Sequence, residues 1–284
     1  MEKYDLHKKD FSKLHFELKH LAPYFLRNKT KASRPHRHSF FQLLWFKSSG
    51  NHYIDYEVIK HPANTLFLIN KNQVHYFCSE SSNEGYLFHF NDSFVSNYSL
   101  DLISRFTVSI FNEISEPYIN LTDNDSKIIE NICKNILLEL EEKKENYSHI
   151  IMHQFLGLLY KIERTKNEKK SFKTDVNSDF YKIVKFKQAI IKEIDQQMSI
   201  AYFASRLAIS SKKLTALTKQ YTSLTPGTLI KEMKILEAKR MLSHLDISIK
   251  EVAYSIGFDQ PTYFTKFFKK ETKQTPKQFQ DQLL

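Results

Sequence analysis

Residues Ile247–Lys270 read ISIKEVAYSIGFDQPTYFTKFFKK. Apolar residues recur at Ile249, Val252, Ala253 and Ile256, the three-and-four spacing of a helix that buries one face. Gly257 interrupts that pattern. Glycine costs a helix interior about 1 kcal/mol relative to alanine but enters a left-handed turn freely, so this position marks a hinge between two short helices. Asp259 is expected as the N-cap of the second helix and Pro261 in its first turn. That helix should carry Tyr263, Phe264, Phe267 and Phe268 inward and leave Thr262, Thr265, Lys266 and Lys269 outside. Two helices joined by a tight turn, with a basic polar outer face, have the form of a DNA-binding helix-turn-helix.

A similar unit precedes it in IAYFASRLAISSKKLTALTKQY, Ile200–Tyr221. Ser199 is expected to cap a short helix with Ala204, Leu207 and Ala208 inside, and Ser210 a second helix with Leu214, Leu217 and Tyr221 inside. Thr225 and Pro226 then open a connecting helix whose buried side holds Leu229, Ile230, Met233, Leu236 and Leu242. About 18 helical residues there would span about 27 Å, the order of the ~34 Å between major-groove segments on one face of DNA. A further helix, Phe180–Gln197, is expected ahead of both units from Ile183, Phe186, Ile190 and Ile194.

The charge is distributed accordingly. The chain of 284 residues carries a formal +10, and residues 180–284 hold 18 Lys and Arg against 9 Asp and Glu, whereas residues 1–179 are nearly balanced at 24 against 23. A basic C-terminal third is an electrostatic footprint for a polyanion. No apolar run reaches the 18 residues of a membrane span and the start, MEKYDLHKKDFSK, lacks a secretory core, so a cytoplasmic protein with no membrane partner is expected. Cys78 and Cys133 are far apart and outside any CxxC pattern, which reads as two buried thiols rather than a disulfide or zinc ribbon.

Residues 1–33 carry no clear period. Between Ser39 and Phe90 the texture changes to five aromatic and β-branched runs, SFFQLLWFK, NHYIDYEVI, NTLFLI, VHYFC and GYLFHF, separated by turn-forming stretches. In the first run both alternating sets are apolar, so the strand should be covered on both faces, as in a sandwich or barrel. A short helix is expected near Leu100–Phe106. Thr122 or Asp123 should then cap a helix with the stripe Ile129, Ile132, Ile136 and Leu140, followed by a second over Ser148–Arg164 with Ile151, Phe155, Leu158, Leu159 and Ile162. The polar, aperiodic segment 165–179 reads as a linker. The expected organisation is therefore a multidomain chain: an N-terminal antiparallel β domain with a helical pair (1–164, strands within 39–90, helices about 122–164), a linker (165–179), and a C-terminal all-α domain with two helix-turn-helix units (180–284).

The ordered series Ser210 and Leu214, Thr225-Pro226, Lys239–Leu242 (KRML), Val252–Phe258 (VAxxIGF), Tyr263–Lys270 (YFxxFFKK) and Thr275-Pro276 resembles the AraC/XylS family of bacterial transcription regulators over about 85 residues. The sequence departs from the family pattern at Ser223 and Lys273, where glycine is usual, and at Thr218, where phenylalanine is usual. The resemblance implies double-stranded DNA as partner, with Lys212, Thr215, Ala216, Thr262, Thr265 and Lys266 as base readers. Lysine can donate to guanine O6 and N7, and a Thr or Ala methyl can meet the thymine methyl. Lys213, Lys219, Gln260 and Lys269 are the expected phosphate contacts. It also implies a homodimer, and RNA polymerase as a further partner.

PHRHSFFQ (Pro35–Gln42) with Gln73-Val74-His75 resembles the cupin-like jelly-roll arm of the same family. His36, His38, Gln42 and His75 stand at positions similar to the metal ligands of enzymatic cupins, but an amide replaces the carboxylate at residue 42, which weakens a divalent site. Neither a metal nor another cofactor is therefore assigned. The histidines read either as structural, hydrogen-bonded groups or as contacts to an unidentified small-molecule effector, whose pocket would be lined by His36, His38, Gln42 and His75 with Trp45 and Tyr53, two residues that otherwise read as core. The expected protein is an effector-responsive regulator without catalytic residues. A metal-dependent cupin enzyme fused to a DNA-binding domain and a constitutive regulator whose β domain only dimerises are the alternatives.

Overall fold

The computed structural model describes residues 3–6, 14–96, 100–168, 178–243 and 247–282. The chain divides into two compact units, residues 2–176 and 177–284. The N-terminal unit runs β1 (Lys3–Tyr4), β2 (Phe16–His20), α1 (Leu21–Ala32), β3 (Arg37–His38), β4 (Phe41–Phe46), β5 (Gly50–Ile54), β6 (Glu57–His61), β7 (Thr65–Ile69), β8 (His75–Phe77), β9 (Gly85–Phe90), α2 (Asp92–Ser96), α3 (Leu100–Ser109), β10 (Tyr118–Asn120), α4 (Asp123–Glu142) and α5 (Tyr147–Glu168).

Its antiparallel five-stranded sheet has the order β10-β7-β4-β9-β2, a three-stranded sheet the order β6-β5-β8, and β1 pairs parallel with β3. Strand β4 is central, and all six of its residues are buried. Because side chains alternate across a strand, its two faces serve two cores. Phe41, Leu43 and Trp45 pack in one cluster with Ile129, Cys133 and Ile136 of α4 and Phe155, Leu158 and Ile162 of α5. Leu44 and Phe46 join the other with Ile54, Phe67, Phe77 and, from α1, Leu21 and Phe25. The large sheet is thus covered by helices on one face and by the small sheet and α1 on the other, the two-sided covering expected from the apolar alternation.

Several local expectations change. NHYIDYEVI is not one strand but the hairpin β5–β6. Asp55 and Tyr56 both take left-handed backbone (φ 47° and 73°), which closes a two-residue turn without the usual Asn-Gly signal. Thr165–Glu168 continue α5 rather than begin a linker, and the buried Lys166 ammonium donates to the Ile110 carbonyl at 2.7 Å. Residues 169–177 of the expected linker lie outside the described residues. Cys133 is buried, whereas Cys78 is only partly so.

The C-terminal unit is helical: α6 (Asp179–Lys192), α7 (Ile200–Arg206), α8 (Ser211–Thr222), α9 (Pro226–Leu242), α10 (Ile249–Ser255), α11 (Pro261–Thr272) and α12 (Pro276–Asp281). The hydroxyls of Ser178, Ser199, Ser210, Thr225, Ser248 and Thr275 each accept a backbone N–H in the first turn that follows. The cap of α11 is Gln260, not Asp259, because Pro261 occupies the first helical position and sets the cap one residue before it. Helix α9 has 17 residues, about 25 Å at ~1.5 Å each. Its buried residues, from Leu229 and Met233 to Ala238, Arg240 and Leu242, do not form a single stripe, since α6, α8, α10, α11 and α12 all pack on it.

The two helix-turn-helix units repeat in register. From the recognition-helix cap onward they are offset by 50 residues, pairing Ser210 with Gln260, Leu214 with Phe264, Leu217 with Phe267, Thr218 with Phe268 and Thr225-Pro226 with Thr275-Pro276. Before the cap the offset is 49, which aligns Ala208 with Gly257. Ala208 is therefore not an inner helical residue: it is exposed and has φ 52° in the turn after α7. Tyr263, expected inside, is 59% exposed, while Phe264 and Phe268 are fully buried and Phe267 half-buried.

Gly257 has φ 83°, and a Cβ there would lie 2.4 Å from the Asp195 carbonyl oxygen. Lys234 donates from Nζ to the neighbouring Ile256 carbonyl at 2.8 Å. A Gly257→Ala substitution meets both a left-handed backbone and an unyielding backbone oxygen, so it should destabilise the C-terminal unit by about 2 kcal/mol or more in urea unfolding. The C-caps Ser223 and Lys273 also take left-handed backbone (φ 60° and 66°), so the turns adopt that conformation without the glycines. Ser223→Gly and Lys273→Gly should each stabilise the same unit by roughly 0.5–1 kcal/mol, read as a higher unfolding midpoint at unchanged slope.

Candidate nucleic-acid interface and histidine cluster

Helices α8 and α11 present equivalent outer faces. Lys212, Lys213, Ala216, Lys219, Gln260, Thr262, Lys266 and Lys269 are exposed, and Thr215 and Thr265 are partly covered. In the repeat register Lys212 matches Thr262, Thr215 matches Thr265, Ala216 matches Lys266 and Lys219 matches Lys269. The two threonines behave alike. Thr215 donates its hydroxyl to the Ser211 carbonyl and Thr265 to that of Pro261, each at 2.9 Å. Each donor is thereby engaged, leaving the methyl and the oxygen lone pairs for an outside group.

Lys213 differs from the other lysines of these faces. Its ammonium sits 2.7 Å from Asp179, which also meets Lys182 at 3.1 Å. Hydrogen bonds from Lys213 and then Lys182 hold the Asp179 carboxyl below the ordinary aspartate range. The position equivalent to Lys213 is the exposed Tyr263, which sequence reasoning assigned to the core because it lies in an aromatic run.

In the N-terminal unit, pairing geometry assembles a histidine cluster. His36 and His38 are two residues apart and so project to one side. The His36 N–H donates to the His75 carbonyl at 3.2 Å and the His75 N–H to that of His36 at 3.0 Å, placing the third ring beside them. Ring centroids are 4.5 Å apart for His36 and His75, 4.9 Å for His36 and His38, and 5.1 Å for His38 and His75. All three are buried, and their nitrogens supply three potential ligand atoms within 4.8 Å of one another.

His52, which sequence reasoning missed, adjoins them, with its Nε2 3.3 Å from His75 Nδ1. His89, also missed, lies across from Gln42 in the β4–β9 register. Gln42 donates to His89 Nε2 at 3.2 Å, and His89 Nδ1 donates to the Glu17 carboxylate at 3.1 Å. The signal for His52 was its alternation with Ile54, and for His89 its place opposite Gln42, which needs the strand pairing. Trp45 and Tyr53 do not join the cluster. Trp45 faces the helix-covered core and stacks on Tyr86, and Tyr53 stacks on Tyr76 at 4.3 Å, on the side of β5 away from His52 and Ile54. The expected six-residue pocket therefore separates onto different faces.

Burial, reinforced by neighbouring imidazoles, pushes His38, His52 and His75 well below the ordinary histidine value of 6.5. Burial also lowers His89, against the pull of Glu17. For Glu17 burial acts upward, but hydrogen bonds from His89 and Lys19 outweigh it and hold the carboxyl at about 2. A histidine kept neutral in the fold contributes stability that is complete above its unfolded pKa of ~6.5 and is lost as pH falls below it. In chelator-containing buffer, the N-terminal unit should lose roughly 1 kcal/mol per such histidine between pH 7.5 and 5.5, measured by urea unfolding followed through Trp45 fluorescence.

The family profile described as "AraC-like ligand binding domain" matches residues 19–158, and the one described as "Helix-turn-helix domain" matches residues 203–282. Among curated relatives, Histidine kinase P4 of Formosa agariphila is 32% identical over 87 residues, covering 31% of this chain and 6% of that protein. The HTH-type transcriptional activator RhaS of Yersinia pestis is 26% identical over 157 residues, covering 53% of this chain and 54% of its own length. The chain thus spans about half or less of these relatives. The solved structure of ToxT from Vibrio cholerae is 17% identical, covers 95% of this chain and 97% of its own, and has a TM-score of 0.45. With one profile on each compact unit and transcriptional activators among its relatives, the chain belongs to the AraC family of transcription regulators, with a cupin-like domain ahead of its helix-turn-helix domain.

Proposed function

We propose that the chain is a sequence-specific DNA-binding transcription regulator whose helices α8 and α11 enter two successive major-groove segments of double-stranded DNA. The observation that carries this reading is the repeat itself: two recognition helices in the same register expose matching polar and basic faces from one packed helical unit. Direct readout falls to Lys212, Thr215, Ala216, Thr262, Thr265 and Lys266, and phosphate contact to Lys213, Lys219, Gln260 and Lys269.

In the same reading the cupin-like unit senses a small ligand and dimerises, and RNA polymerase is a further partner. These roles rest on family kinship. Ligand binding would act by favouring one of two arrangements of the linked units, which requires unequal affinity for the two. No described helix is long and apolar enough to cross a membrane, and a regulator of DNA works in the cytoplasm. The relatives that support the reading are transcriptional activators, which favours a regulator over an enzyme.

Lys266→Ala should weaken binding to the cognate site by roughly 1–3 kcal/mol and to random DNA by less. Equal losses on both in a fluorescence-anisotropy titration refute base reading by Lys266. Lys269→Ala should weaken both alike and reduce the slope of log affinity against log salt by about 1.

A further inference from the structure

We propose that the helical C-terminal unit holds a ligand site of its own, a cleft among α6, α7, their connection and α9 that takes a small uncharged aromatic molecule with one N–H or O–H donor. Such a site is separate from any sensing by the cupin-like unit. The cleft has a volume of about 230 Å³. That lies between the ~150 Å³ of a cavity that holds benzene and the ~300 Å³ at which sites for drug-sized molecules begin, so it suits one ring or two fused rings.

Its apolar wall is made by Ile190, Ile194, Met198, Phe203 and Ile230. Ile190 and Phe203 are buried, whereas Ile194, Met198 and Ile230 keep part of their surface in solvent. A flat ring laid over these three removes apolar area from water.

The polar anchor is a buried acceptor without a donor. Glu193 lines the cleft and is only 8% exposed, and Arg206, the last residue of α7, meets its Oε1. Oε2 is buried and has no hydrogen-bond partner among the described residues. A carboxylate oxygen left in that state is costly, and an N–H or O–H from a bound molecule would relieve it.

The surrounding charges disfavour ions of either sign. Glu193 already has Arg206 as its counter-ion. Lys234 of α9 lines the same cleft, donates to the Ile256 carbonyl at 2.8 Å, and has its pKa lowered by burial. A cationic ligand would therefore crowd an ammonium that is already poorly solvated, and an anionic one would face the Glu193 carboxylate. A neutral donor meets Oε2 without either cost. Through Arg206 and the Ile256 carbonyl, the two polar residues also tie the cleft to α7 and to the turn after α10, one contact in each helix-turn-helix unit.

The probe is 5-fluoroindole, titrated into the full-length chain and followed by its fluorine NMR signal. Saturation at one molecule per chain is expected, with displacement by indole. Benzofuran, which has the shape of indole but no N–H, should compete about tenfold more weakly than indole. Tryptamine and indole-3-acetate, which add a positive and a negative charge, should be weaker by a similar factor. Ile194→Phe and Ile230→Phe fill the cleft and should each lower affinity for the probe at least tenfold. Crystals of the unaltered chain soaked with 5-bromoindole locate the bromine by anomalous scattering, which decides the matter even where a variant fails to fold. Bromine in the cleft beside Glu193 supports the site. Binding that does not saturate, benzofuran competing as well as indole, undiminished affinity in the filled variants, or bromine found only elsewhere overturns it.

Discussion

The close approach of Gly257 to the Asp195 carbonyl sets the geometry of the DNA-binding half. A Cβ at Gly257 would lie 2.4 Å from that oxygen, so the turn of the second hairpin can pack there only without a side chain. The contact joins the end of the first helical segment to the second helix-turn-helix. Lys234, on the connecting helix, reaches the same turn through the Ile256 carbonyl and lies over the Phe258 ring at 5.5 Å. Burial lowers its pKa, with partial compensation from Asp195. The turn is therefore held from both sides, and α8 and α11 belong to one packed unit rather than to two tethered hairpins.

The β domain depends on an equivalent constraint at β4, whose two faces must both be covered. That requirement orders the elements around it: helices α4 and α5 on one side, the small sheet and α1 on the other. It also explains why buried histidines collect where they do. His36, His38, His52, His75 and His89 come from four strands and a bridge that meet beside the inner face of the large sheet, a region where charge is costly and neutral imidazole is tolerated.

The helical half was legible in the sequence because its signals are local. Ile249, Val252, Ala253 and Ile256 sit at helical spacing, Gly257 breaks it, and prolines mark three helix starts. Tyr263 was misplaced because it lies in an aromatic run, where residue type alone does not tell which of two adjacent rings faces inward. In the β half the long apolar strands were legible but their partners were not. The Asp55–Tyr56 turn carries no glycine, β2 alternates over only five residues, and β10 has three. The histidine cluster shows the same division. His36 and His38 share a short motif, whereas His52 and His89 reach the site through strand pairing, and Trp45 left it by alternation.

The charge pattern on α8 and α11 has a further consequence for how DNA would be held. Among the described residues no ion pair involves Lys212, Lys219, Lys266 or Lys269, whereas Lys213 is tied to Asp179 at 2.7 Å. An exposed pair of this kind is worth only about 0–1 kcal/mol, so a phosphate can displace Asp179. Lys182, 3.1 Å from the same carboxylate, remains to neutralise it after the exchange. Lys213 would thus swap one anion for another at small net gain, while Lys219 and Lys269, the other two lysines proposed to meet phosphate, would gain the full contact. Sequence-independent affinity would therefore reside in Lys219 and Lys269, and Lys213 would act mainly to set the orientation of α8, pinned to the start of α6 before DNA arrives and released from it on contact.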